Sequence, residues 1–236
     1  MRRFIRTLGF LAAILAMSAC GAGGGDPSAA PKPEASTTGP VAASGTLPEE
    51  GAISAGEYET GVFEPALSFK VGEGGWQVFQ TPDLVGLFRE KEDLQLAFAR
   101  IEVVFDPSKP TEDVPRPAPE SVDGWITWFQ KHPNLDTGKP VPVTVGGVSG
   151  MRIDSVVSSI PSDYPEDCPL PCVPAYSTGE REGASDFVSG TKDRNVVLNV
   201  EGQIVLVVFT TSEEEFTELL PKAEEVLDTV EWKVAS

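Results

Sequence analysis

The chain has 236 residues, 36 of them acidic and 18 basic, for a net charge of −18. That balance argues against nucleic acid as a partner, because phosphate binding needs basic groups to neutralise it. Anionic lipid headgroups would repel such a chain too, so a stay at a membrane calls for a covalent anchor.

Residues 1–20 read as an address. Arg2, Arg3 and Arg6 form a basic start, and Leu8 to Met17 is an apolar run of ten residues. Such a run is too short to cross a hydrocarbon core of roughly 30 Å as a mature helix. Met17-Ser18-Ala19-Cys20 closes it with small residues before a cysteine. This resembles the signal of bacterial lipoproteins, in which the cysteine is acylated and becomes the mature N-terminus; Met17 stands where leucine is usual. An ordinary secretory signal cut near Ala19, or a short uncleaved anchor, are the alternatives. All three arginines and no acid lie in this stretch, so its removal takes the net charge to −21.

Residues 21–55 are mostly Gly, Ala, Pro, Ser and Thr. That composition buries too little apolar surface to offset ordering entropy, which predicts a disordered tether. Residues 56–236 are one domain's length, enough for a single core.

Within that domain Leu67–Val71 alternates in the manner of a half-buried strand, and Trp76–Gln80 follows a glycine-rich turn. Leu84–Arg89 and Leu94–Phe105 are apolar runs around Lys91-Glu92-Asp93, the pattern of a hairpin. Residues 106–119 carry five prolines, which predicts an extended crossing with neither strand nor helix. Ser121 is placed to cap a helix bearing Val122, Trp125, Ile126 and Phe129 at helical spacing, with Pro133 as its stop. Val141–Val145 and Val148–Val157 flank Gly146-Gly147, a second hairpin candidate. Residues 159–193 are rich in proline and polar groups and read as an irregular loop of the kind that carries recognition.

Asn195 to Trp232 is the most legible stretch. Glu201-Gly202 sits between two β-branched runs, as a two-residue hairpin turn requires. Val205–Phe209 is apolar without alternation, so that strand should be covered on both faces. Ser212 with Glu215 fits a capping box, as does Thr211 with Glu214. Phe216, Leu219, Leu220, Ala223, Val226 and Leu227 then fall on one helical stripe, within which Pro221 predicts a kink or a restart. Val230-Glu231-Trp232 closes the chain as a strand.

Chemistry-bearing residues are few. Cys168 and Cys172 form Cys-Pro-Leu-Pro-Cys, and in an exported protein the expected state is a disulfide. Its loop is so short that it would pin local shape more than it would stabilise the whole fold. A metal would want about four ligands, and no histidine is near, so no metal or cofactor is expected. His132 is the sole histidine and reads as a favourable surface charge at a helix C-terminus. Gly147-Val-Ser-Gly150 lacks the last glycine of a nucleophile elbow and has strand-like flanks. Acidic pairs such as Glu92-Asp93 and Glu166-Asp167 are frequent by chance among 36 acids. Trp125 and Trp128, with Tyr164 and Tyr176 in the irregular loop, are the candidate binding surface, although packing of the tryptophan helix on a sheet explains its aromatics as well.

The opening Phe-x-Val…Gly-Trp strands, the helix before Val-x-Val-Gly-Gly and the final hairpin, helix and Val-Glu-Trp strand resemble the PsbP-like fold. That fold is named for an extrinsic subunit of photosystem II and is shared by a nuclear-transport factor and by bacterial lipoproteins. The resemblance covers about 67–232 and implies an α+β fold, an antiparallel sheet with helices on both faces. It also implies a non-catalytic binding or assembly role. The anchor and tether set that role on the extracytoplasmic side of a bacterial membrane, where a protein partner at the cell surface is expected. A ligand-binding lipoprotein serving a transporter or sensor, and an extracytoplasmic hydrolase using paired carboxylates, are the two other readings.

Overall fold

A computed structural model describes residues 43–109, 114–161, 171–179 and 184–233. The described part opens with β1 (Ala43–Thr46), β2 (Glu50–Ile53) and β3 (Gly56–Glu59). A meander follows: β4 (Leu67–Val71), β5 (Trp76–Thr81), β6 (Leu84–Arg89) and β7 (Leu94–Ala99). The short β8 (Val103–Phe105) and β9 (Pro115–Pro117) precede helix α1 (Val122–Lys131). Next come β10 (Leu135–Thr137), β11 (Val141–Val145) and β12 (Val148–Val157), then β13 (Cys172–Ser177) and β14 (Ala184–Val188). The long hairpin β15 (Thr191–Val200) and β16 (Gln203–Ser212), helix α2 (Phe216–Leu227) and β17 (Glu231–Trp232) complete an α+β fold.

The central sheet runs β10-β12-β15-β16-β7-β6-β5-β2, with β11 also pairing β12. Two smaller sheets, β1-β3-β4-β17 and β14-β13-β8-β9, accompany it. Pairing is antiparallel except between β1 and β3. Among the described residues no helix is long and apolar enough to cross a membrane.

Turn chemistry explains the two best-predicted hairpins. Glu201 (φ 52°) and Gly202 (φ 87°) both adopt the left-handed region between Val200 and its partner Gln203. Asn199 accepts the Gly202 N–H through Oδ1 at 2.8 Å, which holds the turn. Gly146 and Gly147, at φ 57° and 80°, do the same between Val145 and Val148. Gly150 is needed for another reason: a Cβ there would lie 2.2 Å from the Val197 carbonyl oxygen, so only glycine lets β12 approach β15. Its neighbour Ser149 is simply an exposed strand residue.

As expected, β16 is covered on both faces. Val205, Val207 and Phe209 join a cluster with Phe216, Leu219, Ala223 and Val226 of α2. Leu206 joins a second cluster with Val197 and with Trp125, Ile126 and Phe129 of α1. The period of two thus assigns one strand to two cores.

Cap residues behave largely as predicted. Ser121 Oγ accepts the Gly124 N–H at 3.1 Å and opens α1. Ser212 and Glu215 satisfy each other reciprocally, but the helix begins only at Phe216. The competing Thr211 hydroxyl is buried and has no partner. Pro221 causes no restart: α2 is a single helix through it. Pro221 is exposed, as is Thr217, whose carbonyl loses the bond that proline cannot donate, so water can serve it. The buried stripe on the other side holds the helix together.

Four further expectations need correction. The tether was predicted to reach residue 55, yet β1 and β2 lie inside it. Backbone pairing supplies the order there: Leu47 N–H bonds Glu59 O at 2.7 Å, and Gln80 Nε2 donates to the carbonyls of Leu47 (2.6 Å) and Pro48 (3.2 Å). The run Leu94–Phe105 breaks after Ala99, where Glu102 N–H turns to Ser177 O and carries the chain into the small sheet. The proline-rich crossing does contain a strand, β9, on an exposed edge where missing N–H groups are tolerated. Arg116 of β9 and Ser108 grip the Asp106 carboxylate and hold its pKa down to about 2. Lastly, the irregular 159–193 stretch holds the β13–β14 pair.

Candidate functional site

Period two on β15 decides what reaches each side of the sheet. Lys192 and Arg194 project toward α2, where their charges lie 4.7 and 5.6 Å from the centre of the Phe216 ring. Arg194 also binds Asp154 through two nitrogens, at 2.8 and 2.9 Å, and Glu224 at 2.9 Å. Asp193, between them, must face the opposite way.

On that opposite side a cleft of about 390 Å³ lies between the β7–β16–β15 surface and the β13–β14 pair. Asp193, Thr210, Gln95, Tyr176, Phe187 and Asp186 are among its lining residues. Asp193 is 6 % exposed and stands opposite Thr210 in the ladder, whose hydroxyl donates to Oδ1 at 2.5 Å. Burial pushes the Asp193 carboxyl up to about 6, although the Thr210 bond works against that rise. Tyr176, 4 % exposed, meets Phe187 edge-on at 5.9 Å and Trp125 at 6.0 Å. Burial, and then the Asp193 charge, raise its phenol above the ordinary range. Among the described residues lining the cleft there is no Lys, Arg or His.

The structure redistributes the residues singled out from the sequence. Trp125 and Tyr176 are interior, and Trp128 is half-buried against Phe129 and His132, so the tryptophan helix offers no open platform. Tyr164, Cys168, Cys20 and the pair Glu166-Asp167 lie outside the described residues. Cys172 is buried at the start of β13. Glu92 is engaged by Arg89 at 2.8 Å and Lys222 at 2.6 Å. No group of three or more His, Cys, Asp or Glu gathers among the described residues in a way that would hold a metal.

His132 is not the surface charge expected of it. The side chain is 3 % exposed, packed against Trp128 at 5.2 Å and Phe187 at 5.7 Å, and burial lowers its pKa to about 4. Nδ1 accepts the Asn134 N–H at 3.3 Å, which leaves the proton of the neutral ring on Nε2. Desolvation here outweighs the helix C-terminus, whose attraction for a cation amounts to about 0.3–1 kcal/mol at exposed sites.

Sequence reasoning missed Asp193 and Thr210. A signal existed: once the strand is extended back to Thr191, the period of two puts Asp193 on the same face as Val197.

No protein-family model matches the chain, and no curated protein does. Among solved structures it is similar to cyanobacterial PsbP (CyanoP) from Synechocystis sp. PCC 6803. Identity there is 12 %, over 77 % of this chain and 94 % of that one, with a TM-score of 0.38. It is also similar to LpqN, involved in cell envelope biogenesis of Mycobacterium tuberculosis: 11 % identity, 78 % and 91 % covered, TM-score 0.28. The PsbP-like resemblance is thus found in three dimensions as a weak one, and it transfers no functional residue to this chain.

Proposed function

We propose that this protein is an extracytoplasmic lipoprotein, anchored through Cys20, whose folded part is a non-catalytic binding domain. The observation that carries the binding reading is the cleft over Asp193. One wall is a rigid sheet and the other is built from the 159–193 stretch, where the sequence pattern placed recognition. A helix in each of the two hydrophobic clusters supports a sandwich with the central sheet between them. The cleft favours a small ligand, as in a lipoprotein that serves a transporter or sensor, over a purely scaffolding role at a protein partner.

Anchoring is tested by detergent phase partitioning of the full-length protein from bacterial membranes. The parent chain is expected in the detergent phase and Cys20→Ala in the aqueous phase. Retention of Cys20→Ala with detergent would place the attachment elsewhere. We further propose a Cys168–Cys172 disulfide that fixes the approach to β13. Alkylation before and after reduction, read by intact mass, should add two labels only after reduction. Two labels without reduction would rule the bridge out.

A further inference from the structure

We propose that the cleft over Asp193 is a binding site for a small organic ammonium ion carrying an apolar or aromatic body. The inference rests on the binding reading above and names its ligand class.

Asp193 and the walls of the cleft together point to a cation with an apolar body. Asp193 is a carboxylate inside the protein, and Thr210 is its one hydrogen-bond donor among the described residues. A buried carboxylate is costly unless it is neutralised or paired, and the fold turns both adjacent cations, Lys192 and Arg194, to the other side of the sheet. The Tyr176 hydroxyl also reaches this cleft from a side chain only 4 % exposed. It feels the Asp193 charge. An ammonium group has three donors, enough to bond Asp193 and the Tyr176 oxygen together. Finally, the walls are aromatic and aliphatic. Tyr176 and Phe187 offer ring faces or edges, and Ala97, Ala99 and Val208 form the floor. Such walls suit the body of an amine, and a ring face adds cation–π attraction. Asp93 adds negative potential at the cleft.

Benzylammonium chloride titrated into the detergent-solubilised full-length protein at pH 8 tests this, with benzyl alcohol and benzoate as neutral and anionic analogues. Binding of benzylammonium is expected by calorimetry, weakened at least tenfold in Asp193→Asn and several-fold in Tyr176→Phe. Glu231→Gln, an exposed acid on β17, should leave it unchanged. Near-ultraviolet circular dichroism checks that each variant keeps its tertiary packing. Equal affinity for benzylammonium in the parent and Asp193→Asn would overturn the site, and an equal loss in Glu231→Gln would reduce it to diffuse charge attraction. If benzyl alcohol or benzoate binds in the cleft and benzylammonium does not, the amine class is wrong while the binding reading stands. If none of the three binds, both are overturned.

Discussion

Asp193→Asn is expected to be more stable than the parent chain at pH 7.5, by up to about 3 kcal/mol, and no more stable at pH 4. The carboxyl titrates near 6 when folded against an ordinary value of 3.8, and two units of difference correspond to about 3 kcal/mol. The folded protein holds this proton more tightly than the unfolded chain does. Stability from Asp193 is therefore fully present below about pH 4 and lost as the pH rises through about 6. His132 acts in the opposite direction. Its folded value near 4 lies below the ordinary 6.5, so its contribution is present above 6.5 and lost as the pH falls through about 4. The two windows overlap, which should make the parent's stability profile flat between pH 4 and 6. Removing Asp193 should uncover a decline on acidification, and His132→Gln should uncover a gain. Asp106, held down to about 2, loses its contribution only in more acidic solution. Urea midpoints measured from pH 4 to 8 decide this. An Asp193→Asn profile parallel to the parent's would mean that the carboxyl is not buried as described.

Leu219→Ala should lower stability by about 2–5 kcal/mol, the range for large-to-small changes in a packed core. Leu219 is 6 % exposed and belongs to the cluster that α2 shares with Val205, Val207 and Phe209 of β16. The neighbouring Phe216 ring stands 5.2 Å from Phe209 and limits how far the helix can settle into the gap. Leu220 and Leu227 are only half-buried, so their alanine variants should lose less. Chemical denaturation of the three variants provides the comparison. A loss below about 0.5 kcal/mol for Leu219→Ala would mean that this face of α2 is not packed on the sheet.

The elements that were legible in advance share a local cause. Glu201-Gly202 and Gly146-Gly147 announce hairpins because positive φ is a property of the turn residues themselves. Ser121 announces α1 because its hydroxyl bonds a backbone N–H three residues away. Val205–Phe209 announces a doubly covered strand because its run is apolar at both parities. The elements that were not legible are held by partners distant in the chain. β1 and β2 have little side-chain signal and depend on pairing with β3 and β5 and on the Gln80 amide. β9 survives its prolines only because it lies on an edge beside β8.

The sequence by itself determined an acidic domain with a lipoprotein-like start, its principal hairpins, and two amphipathic helices, the first with its cap. These follow from composition, turn chemistry and periodicity, all properties of neighbouring residues. Tertiary structure alone decided that His132 is buried and neutral, that Trp125 is core and Tyr176 a cleft wall, and that Asp193 faces a cleft with no cation among the described residues lining it. Burial and pairing across β13, β15 and β16 depend on which surfaces meet, and distance along the chain carries no record of that.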